Sequence, residues 1–386
     1  MRRVEIEPRQ DWRTTAEAHG FTFHTIDGET YWDESACYQF SLKEIEEGLE
    51  APAEAIEQMC FTIVDAAVRD ERTLERLRIP REHWAYVAQS WANQERNLYG
   101  RMDFAFDGRG PAKLYEYNAD TPTSLYESSI FQWVWLEQAI ERGIIPDGAD
   151  QFNSIHERLV AAFGQMGIRG PLHLASAAGS EEDRATVEYV SECARQAGLE
   201  TKMLTMGDIG VTREGWFADL EDQRIASLFK LYPWEWILRE DFAQYLPRSG
   251  CRLIEPAWKS IISNKGVLAL LWEKFPGHPN LLPTFFEDDP KASSLGSRFV
   301  RKPIYSREGA NVEIVDGSGT GVRMPGPYGE EGRIVQAYHP LPEHSGNRAL
   351  CGVWMVASQP AGLGMREDRG LVTTNLARFL PHMILE

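Results

Sequence analysis

The stretch YEYNADTPTS, residues 115–124, sets Glu116, Asn118 and Asp120 two apart, between two tyrosines and a run of hydroxyls. On an extended strand alternate residues share a face, so Leu114, Glu116 and Asn118 point one way. Upstream, RMDFAFDG sets Arg101, Asp103 and Ala105 on one face of a second strand. The alternating runs 99–106 and 113–119 are joined by DGRGPA, whose glycines and proline signal a hairpin. A turn near residue 109 or 110 brings Asp103 opposite Glu116. Two exposed carboxylates facing each other repel by up to about 1 kcal/mol, and a divalent cation turns that repulsion into binding. Asp, Glu and Asn oxygens are hard ligands of the kind Mg²⁺ takes, with water and substrate phosphates completing its shell. Arg101 alongside could hold a phosphate. The same alternation also describes a solvated hairpin face of mixed charge.

A magnesium–nucleotide site needs positive charge and a phosphate cover, and the second half of the chain offers both. SIISNKGVLALLW puts Lys265 at the opening of a helix. RFVRKPIYSREGANVEI puts Lys302 on a strand, followed by the small-residue loop 306–311 with Ser306 and Gly309, then another strand. Such a loop can lay backbone N–H groups over phosphates. GRIVQAYHPL is an apolar strand ending at Gln336, Ala337 and Tyr338, where an edge could pair with an adenine ring. Taken singly, Lys302 reads equally as an ordinary strand lysine and the loop as a plain turn. No GxxxxGK[ST] P-loop occurs. DGSGTG at 316–321 leads to VRMPGP and not to a helix, so it reads as a hairpin turn.

These groups need elements to hold them. Residues 42–78 carry helical periodicity. Residues 151–206 read as helix, strand, helix, strand, which argues for parallel sheet. Beyond residue 255 the segments are short, glycine-broken and antiparallel in character. The expected architecture is α+β (mixed α/β). Residues 1–255 would carry the hairpin and substrate region, and an intertwined second unit, residues 256–386, the lysines, loop and hinge strand. KLYPWEW (230–236) reads either as a substrate-pocket wall or as aromatic core.

The 386 residues are 43% hydrophobic, enough for a sizeable core, and the formal charge of −18 disfavours a nucleic-acid partner. Five cysteines without a CxxC pair fit a reduced, cytoplasmic chain. The N-terminus has no signal-peptide pattern, and no run of about 18 apolar residues exists to span a membrane.

RMDFAFDG, KLYEYNADTPTS, EPAWKSIISNK, VRKPIYSREGANV, RIVQAYHPLP and GLGMREDRGLV, in that order, resemble the glutathionylspermidine synthetase family from near residue 10 to the C-terminus. The resemblance is closest to short bacterial members described as acid–amine ligases without an amidase domain, and none is expected here. It implies an ATP-grasp fold with permuted segment order and a cytoplasmic ATP-dependent carbon–nitrogen ligase using ATP and two Mg²⁺ ions. It implies Asp103, Glu116 and Asn118 as metal ligands, and Arg101 on the transferring phosphate. Lys265, Lys302, Ser306, Gly309, Glu330, Gln336 and Tyr338 would surround the nucleotide. Arg366 would stabilise charge at the reacting carboxyl, and Thr121 and Thr123 would meet the acid. Asp120 is left as a turn-former or a group behind the ligands. The partners implied are a carboxylic acid or peptide and an amine. Arg378 stands where bifunctional members carry an acid that holds the polyamine, which speaks against a glutathione–spermidine pair. A relative that binds ATP, or acts as an ATPase or kinase-like enzyme, without ligation is the alternative.

Overall fold

The structure, a computed structural model, describes residues 1–26, 28–317, 321–374 and 376–386. Strands β1 (Arg2–Glu5) and β2 (Ala36–Phe40) pair antiparallel. The run expected as one helix over 42–78 is divided. A first turn, Leu42–Ile45, is capped reciprocally by Ser41 and Glu44. A wider turn, Glu46–Glu50, leads into α1 (Ala51–Ala67), and a short helix, Glu71–Arg76, follows. Gly48 lies so close to the Phe106 ring that a Cβ would stand 2.5 Å from it. Pro52 lacks an N–H and suits the first turn of α1.

The expected hairpin is β3 (Tyr99–Ala105) and β4 (Lys113–Asn118). Next come α2 (Gln132–Glu141), α3 (Ile155–Gln165), β5 (Leu172–Ser176), α4 (Glu181–Gln196) and β6 (Thr201–Thr205). Then β7 (Ser227–Leu231), the short α5 (Trp234–Ile237) and β8 (Arg252–Ile254) complete a parallel sheet of order β8-β7-β5-β6. The strand–helix–strand pattern of 151–206 is thus realised.

Beyond it lie α6 (Gly266–Lys274) and β9 (Thr284–Phe286), β10 (Phe299–Pro303), β11 (Glu313–Val315) and β12 (Arg333–Ala337). These strands form an antiparallel sheet of order β9-β12-β10-β11. Residues flanking DGSGTG pair antiparallel, with Ile314 N–H donating to the Val322 carbonyl. The turn itself includes 318–320, outside the described residues.

Residues 347–368 form a hairpin of β13 (Asn347–Val356) and β14 (Gln359–Asp368), in keeping with the antiparallel character expected beyond residue 255. It reverses at Ala357 and Ser358, both at positive φ (46° and 64°), the twist-compatible geometry of a two-residue turn. Short β15 (Arg378–Leu380) and β16 (His382–Ile384) end the chain, β16 pairing parallel with β2.

The largest sheet has the order β15-β14-β13-β3-β4, with Glu343–His344 paired onto β13. Because β3 joins β13, this sheet takes strands from both sides of residue 255. Its pairs alternate faces. Met102, Phe104, Val353 and Met365 share one core with Ile56, Cys60 and Val64 of α1. Arg101, Asp103, Glu116, Asn118, Gly352, Gly364 and Arg366 fall on the other face by register. All five cysteines are free and buried. Among the described residues no helix is long and apolar enough to cross a membrane.

Glu57 is fully buried in α1, and neither carboxyl oxygen has a hydrogen-bond partner among the described residues. Burial pushes its pKa up, the charge of Lys259 opposing. A carboxyl with a raised folded pKa gives stability present below its unfolded pKa and lost as pH rises through the folded one. Glu57→Gln should therefore melt with wild type below about pH 4 and increasingly above wild type as pH rises, by roughly 2–4 °C for each kcal/mol gained. Thermal melts across that range check it; a gap independent of pH would refute it.

Candidate active site

The hairpin register is the one expected: Arg101 faces Asn118 and Asp103 faces Glu116, with an irregularity just after Asp103. Asn118 Nδ2 donates to Glu116 Oε1 at 3.0 Å and lies 3.3 Å from Asp103 Oδ2, so the three oxygen-bearing groups meet at one spot. Each carboxylate is met by a cation. Arg101 donates to Asp103 through Nε (2.6 Å) and Nη2 (2.9 Å), and through Nη1 to the Thr123 carbonyl (2.6 Å). Burial works against the Arg101 charge, but Asp103 outweighs it and raises the pKa further. Lys265 Nζ lies 3.0 Å from Glu116 Oε2. Enclosure opposes ionisation of Glu116, yet Lys265 and Lys302 overcome it and hold its carboxyl down at about 2.

Lys265, Lys302 and the 306–311 loop converge on a cleft of about 750 Å³. Asp103, Glu116, Ser306, Gly309, Gln336 and Tyr338 also line it, with a slot of Leu282, Val300, Ile314 and Leu341. Lys302 donates to the Tyr115 carbonyl (2.9 Å) and to Gln336 Oε1 (2.8 Å). Burial first, and Lys265 beside it, lower the Lys302 pKa to about 8 against the pull of Glu116. Lys265 also donates to the Ser306 carbonyl at 2.7 Å. Among the described residues the buried Ser306 Oγ has no partner, which leaves a hydroxyl for an incoming acceptor.

Two expectations about this cleft need correction. β12 is not an edge: β9 and β10 flank it, and Ala337 N–H is spent on the Pro283 carbonyl. It is the end of the strand, residues 336–339, that lines the cleft. Glu330 lies exposed and lines neither cleft, because the 329–332 turn between positive-φ glycines swings it outward.

A second cleft of about 500 Å³ shares Glu116, Lys265 and Ser306 with the first and adds Asn118, Thr121, Glu235 and Arg307. Arg307 was missed by sequence reasoning. It donates to Thr121 Oγ1 (2.8 Å) and Glu235 Oε1 (3.3 Å), and stacks over Trp236 at 5.5 Å, tying the loop to α5. The WEW motif divides accordingly: Trp234 is fully buried, whereas Glu235 lines the cleft. Thr123 enters through its carbonyl, which holds Arg101. Asp120 is buried, accepts from Lys230 Nζ, and accepts from Trp234 N–H at 2.8 Å. It fastens the threonine turn to the parallel sheet.

Beyond Arg101, Tyr31 donates to Glu127 Oε1 at 2.5 Å and meets Ser124 Oγ at 2.9 Å. Burial raises the Glu127 pKa, with Arg366 and Arg101 opposing. Burial, then Glu127 and Asp183, raise Glu182 to about 7, Arg366 again opposing. Tyr31 is far along the chain from the hairpin acids, and no local spacing marks it. Arg366 shares the face of Asp103 and donates through Nη2 to the Thr374 carbonyl at 2.6 Å. Arg378 does not. It pairs with Glu367 on the opposite face, 2.8 Å from Oε2, and with Asp33, so it presents no free charge to the site. The objection to a polyamine that rested on it falls away.

A glycine loop and Lys302 on an antiparallel sheet, with Lys265 at the start of α6, stand over a carboxylate hairpin in a fold of the ATP-grasp class. The chain belongs to the glutathionylspermidine synthase preATP-grasp family, whose model matches residues 3–385. That makes it an ATP-dependent, amide-bond-forming ligase by class. It is 38% identical over 377 residues to a Haemophilus influenzae protein named "Putative acid–amine ligase", covering 94% of each chain. It is 30% identical to the trypanothione synthetase of Crithidia fasciculata over 79% of this chain and 50% of that protein. It is 27% identical to the bifunctional glutathionylspermidine synthetase/amidase of Escherichia coli, over 85% of this chain and 56% of that protein. A glutathione synthetase-like effector of Globodera pallida in apo form shares the fold, with a TM-score of 0.59 over 97% of this chain and 96% of that one at 11% identity.

Asp120→Asn leaves the buried Lys230 without its counter-charge, and breaking such a pair costs about 3–5 kcal/mol. Denaturant unfolding should show a loss of that order, with Asp120→Asn/Lys230→Met recovering much of it. A single variant within about 1 kcal/mol of wild type would show that the pair does not hold the turn.

Proposed function

We propose that the protein joins a carboxylic acid to an amine at the expense of ATP, through an acyl phosphate, releasing ADP and phosphate. The observation that carries this reading is the meeting of Asp103, Glu116 and Asn118 with Lys265 and Lys302 where the two clefts share Glu116 and Lys265, Glu116 being held ionised. The adenine ring would enter the slot of Leu282, Val300, Ile314 and Leu341. Lys265, Lys302, Ser306 and the backbone at Gly309 would hold the phosphates. Two carboxylates and an amide fit Mg²⁺, which leaves much of its shell to water and phosphate oxygens. When bound, Mg²⁺ supplies charge neutralisation on the polyphosphate. Asn118 would turn its amide oxygen toward the carboxylates, a rotation about one side-chain bond.

The acid would lie between Arg101 and Arg366, close to Thr121 and Thr123. Its carboxylate oxygen attacks the γ-phosphorus and the bond to the ADP oxygen breaks. Arg101 leaves Asp103 to meet the transferring phosphoryl group. The amine nitrogen then attacks the acyl carbon, phosphate departs with the C–O bond, and the amine loses a proton. Arg366 donates to the tetrahedral oxyanion. Glu127 and Glu182 lie within electrostatic reach of Arg366, and where ionised would favour a cationic amine nearby. Arg307, Thr121 and Glu235 close the loop over the second cleft and keep water from the acyl phosphate.

The test follows ADP and AMP separately with MgATP and pools of acids and amines, glutathione and polyamines included. ADP release that rises with one pair, and a product mass equal to their sum less water, supports the ligase. AMP as product, or ADP release that no amine alters, overturns it. Glu116→Ala should lower turnover by about 10²-fold or more with an unchanged melt; retained turnover would remove Glu116 from the metal set. In the free protein Lys302 loses its proton as pH rises through about 8. MgATP affinity should then fall above pH 8 in wild type and stay flat, though weaker, in Lys302→Gln, as calorimetry would record.

A further inference from the structure

Residues 369–374, the loop after β14, touch two regions of the site at once. Val372 and Thr373 line the nucleotide cleft. They also lie against Gly309, which sits at φ +73°, and a Cβ there would stand 2.8 Å from both the Thr373 carbonyl oxygen and Val372 Cγ1. On the other side the Thr374 carbonyl accepts from Arg366 Nη2 at 2.6 Å. Arg366 Nε is buried and has no hydrogen-bond partner among the described residues. A buried donor of this kind is costly until an acceptor reaches it. It shares the sheet face of the hairpin acids, where the acid substrate would lie.

One carboxylate shapes the loop between these contacts. Asp368 Oδ1 accepts from Gly370 N–H at 2.7 Å. Asp368 Oδ2 accepts from Thr374 N–H and Thr374 Oγ1, both at 3.1 Å. Asp368 is the last residue of β14 and stands two residues from Arg366.

We propose that Asp368 is a positioning residue for the ligation reaction. By clasping Thr374 it fixes the carbonyl that aims Arg366. Through Val372 and Thr373 it also makes that aim answer to the phosphate loop: when residues 306–311 settle on a nucleotide, Gly309 bears on Thr373 and the shift passes to Thr374. The inference rests on the ATP-dependent reading above. It goes beyond that reading in joining nucleotide occupancy to the group that stabilises the reacting carboxyl.

The readout is the ¹⁵N-edited Nε–H resonance of Arg366, assigned by its loss in Arg366→Lys, during titration with a magnesium complex of a non-hydrolysable ATP analogue. In wild type the resonance moves on saturation. Asp368→Asn keeps analogue affinity within about threefold and a native melt, but the resonance no longer responds. Its kcat for ADP release falls about 10- to 100-fold with KM for ATP unchanged, as misplacement of a catalytic group predicts. Thr374→Ala, which loses one of the three bonds, gives an intermediate response and decides the matter if Asp368→Asn does not fold. An analogue that binds wild type without moving the Arg366 resonance overturns this inference alone, as does a wild-type response in either variant. Failure of wild type to bind the analogue overturns both this inference and the nucleotide reading beneath it.

Discussion

Two carboxylates held face to face across antiparallel strands are the constraint around which the site is organised. Asp103 and Glu116 are opposed by backbone register, so neither can move away from the other without breaking the ladder. Their repulsion is relieved by cations beside them. Arg101 answers Asp103 from the same strand, Lys265 answers Glu116 from the start of α6, and Lys302 adds its field from β10. The group carries three positive and two negative charges, a surplus of one in a chain whose total is −18. The group would therefore attract a polyanion despite the negative charge of the chain as a whole, and the low local dielectric would strengthen that attraction.

The fold meets this constraint by joining distant segments. β3 is central to the largest sheet because β13 pairs with it, and β14 then sets Arg366 on the face that carries Asp103. Lys302 belongs to a separate antiparallel sheet and reaches the Tyr115 carbonyl of the hairpin, and Lys265 stands at the start of α6. Asp120 ties the end of the hairpin to the parallel sheet through Lys230 and Trp234. Three sheets thus meet at a turn of few residues: the largest supplies the carboxylates and Arg101, the antiparallel one Lys302, and the parallel one the lysine that holds Asp120. Burial of α1 against the opposite face of the large sheet keeps that arrangement rigid.

Sequence reasoning reached furthest where chemistry and local geometry coincide. Alternation along 99–106 and 113–119, with glycine and proline between, was enough to set Asp103 against Glu116, because side-chain direction on a strand has period two. Lys265 before a helix and Lys302 on a strand were legible from capping and periodicity. Arg307, Tyr31 and Glu182 carried no such mark. Arg307 looks like any loop arginine until Thr121 and Glu235 are seen beside it, and Glu182 like any acid in a first helical turn until its enclosure is seen. Glu330 was misplaced, and the strand ending at Gln336 to Tyr338, though it does line the cleft, was misread as an edge, for the same reason: whether a turn faces a cleft, and whether a strand is an edge, depends on neighbours far along the chain.

By itself the sequence determined the strand register of the hairpin, the residue types gathered around the first cleft, and the α+β character, since these follow from dihedral preference and spacing over a few residues. Tertiary structure alone decided which face of the sheet each charge occupies. It put Arg366 with the hairpin acids, and it put Arg378, twelve residues on, behind the sheet with Glu367 and Asp33. It decided the ionisation of Glu116, Lys302 and Glu182, because those pKa values are set by desolvation and by charges from other elements. Long-range pairing and burial govern both matters, and neither is written in any short stretch of the chain.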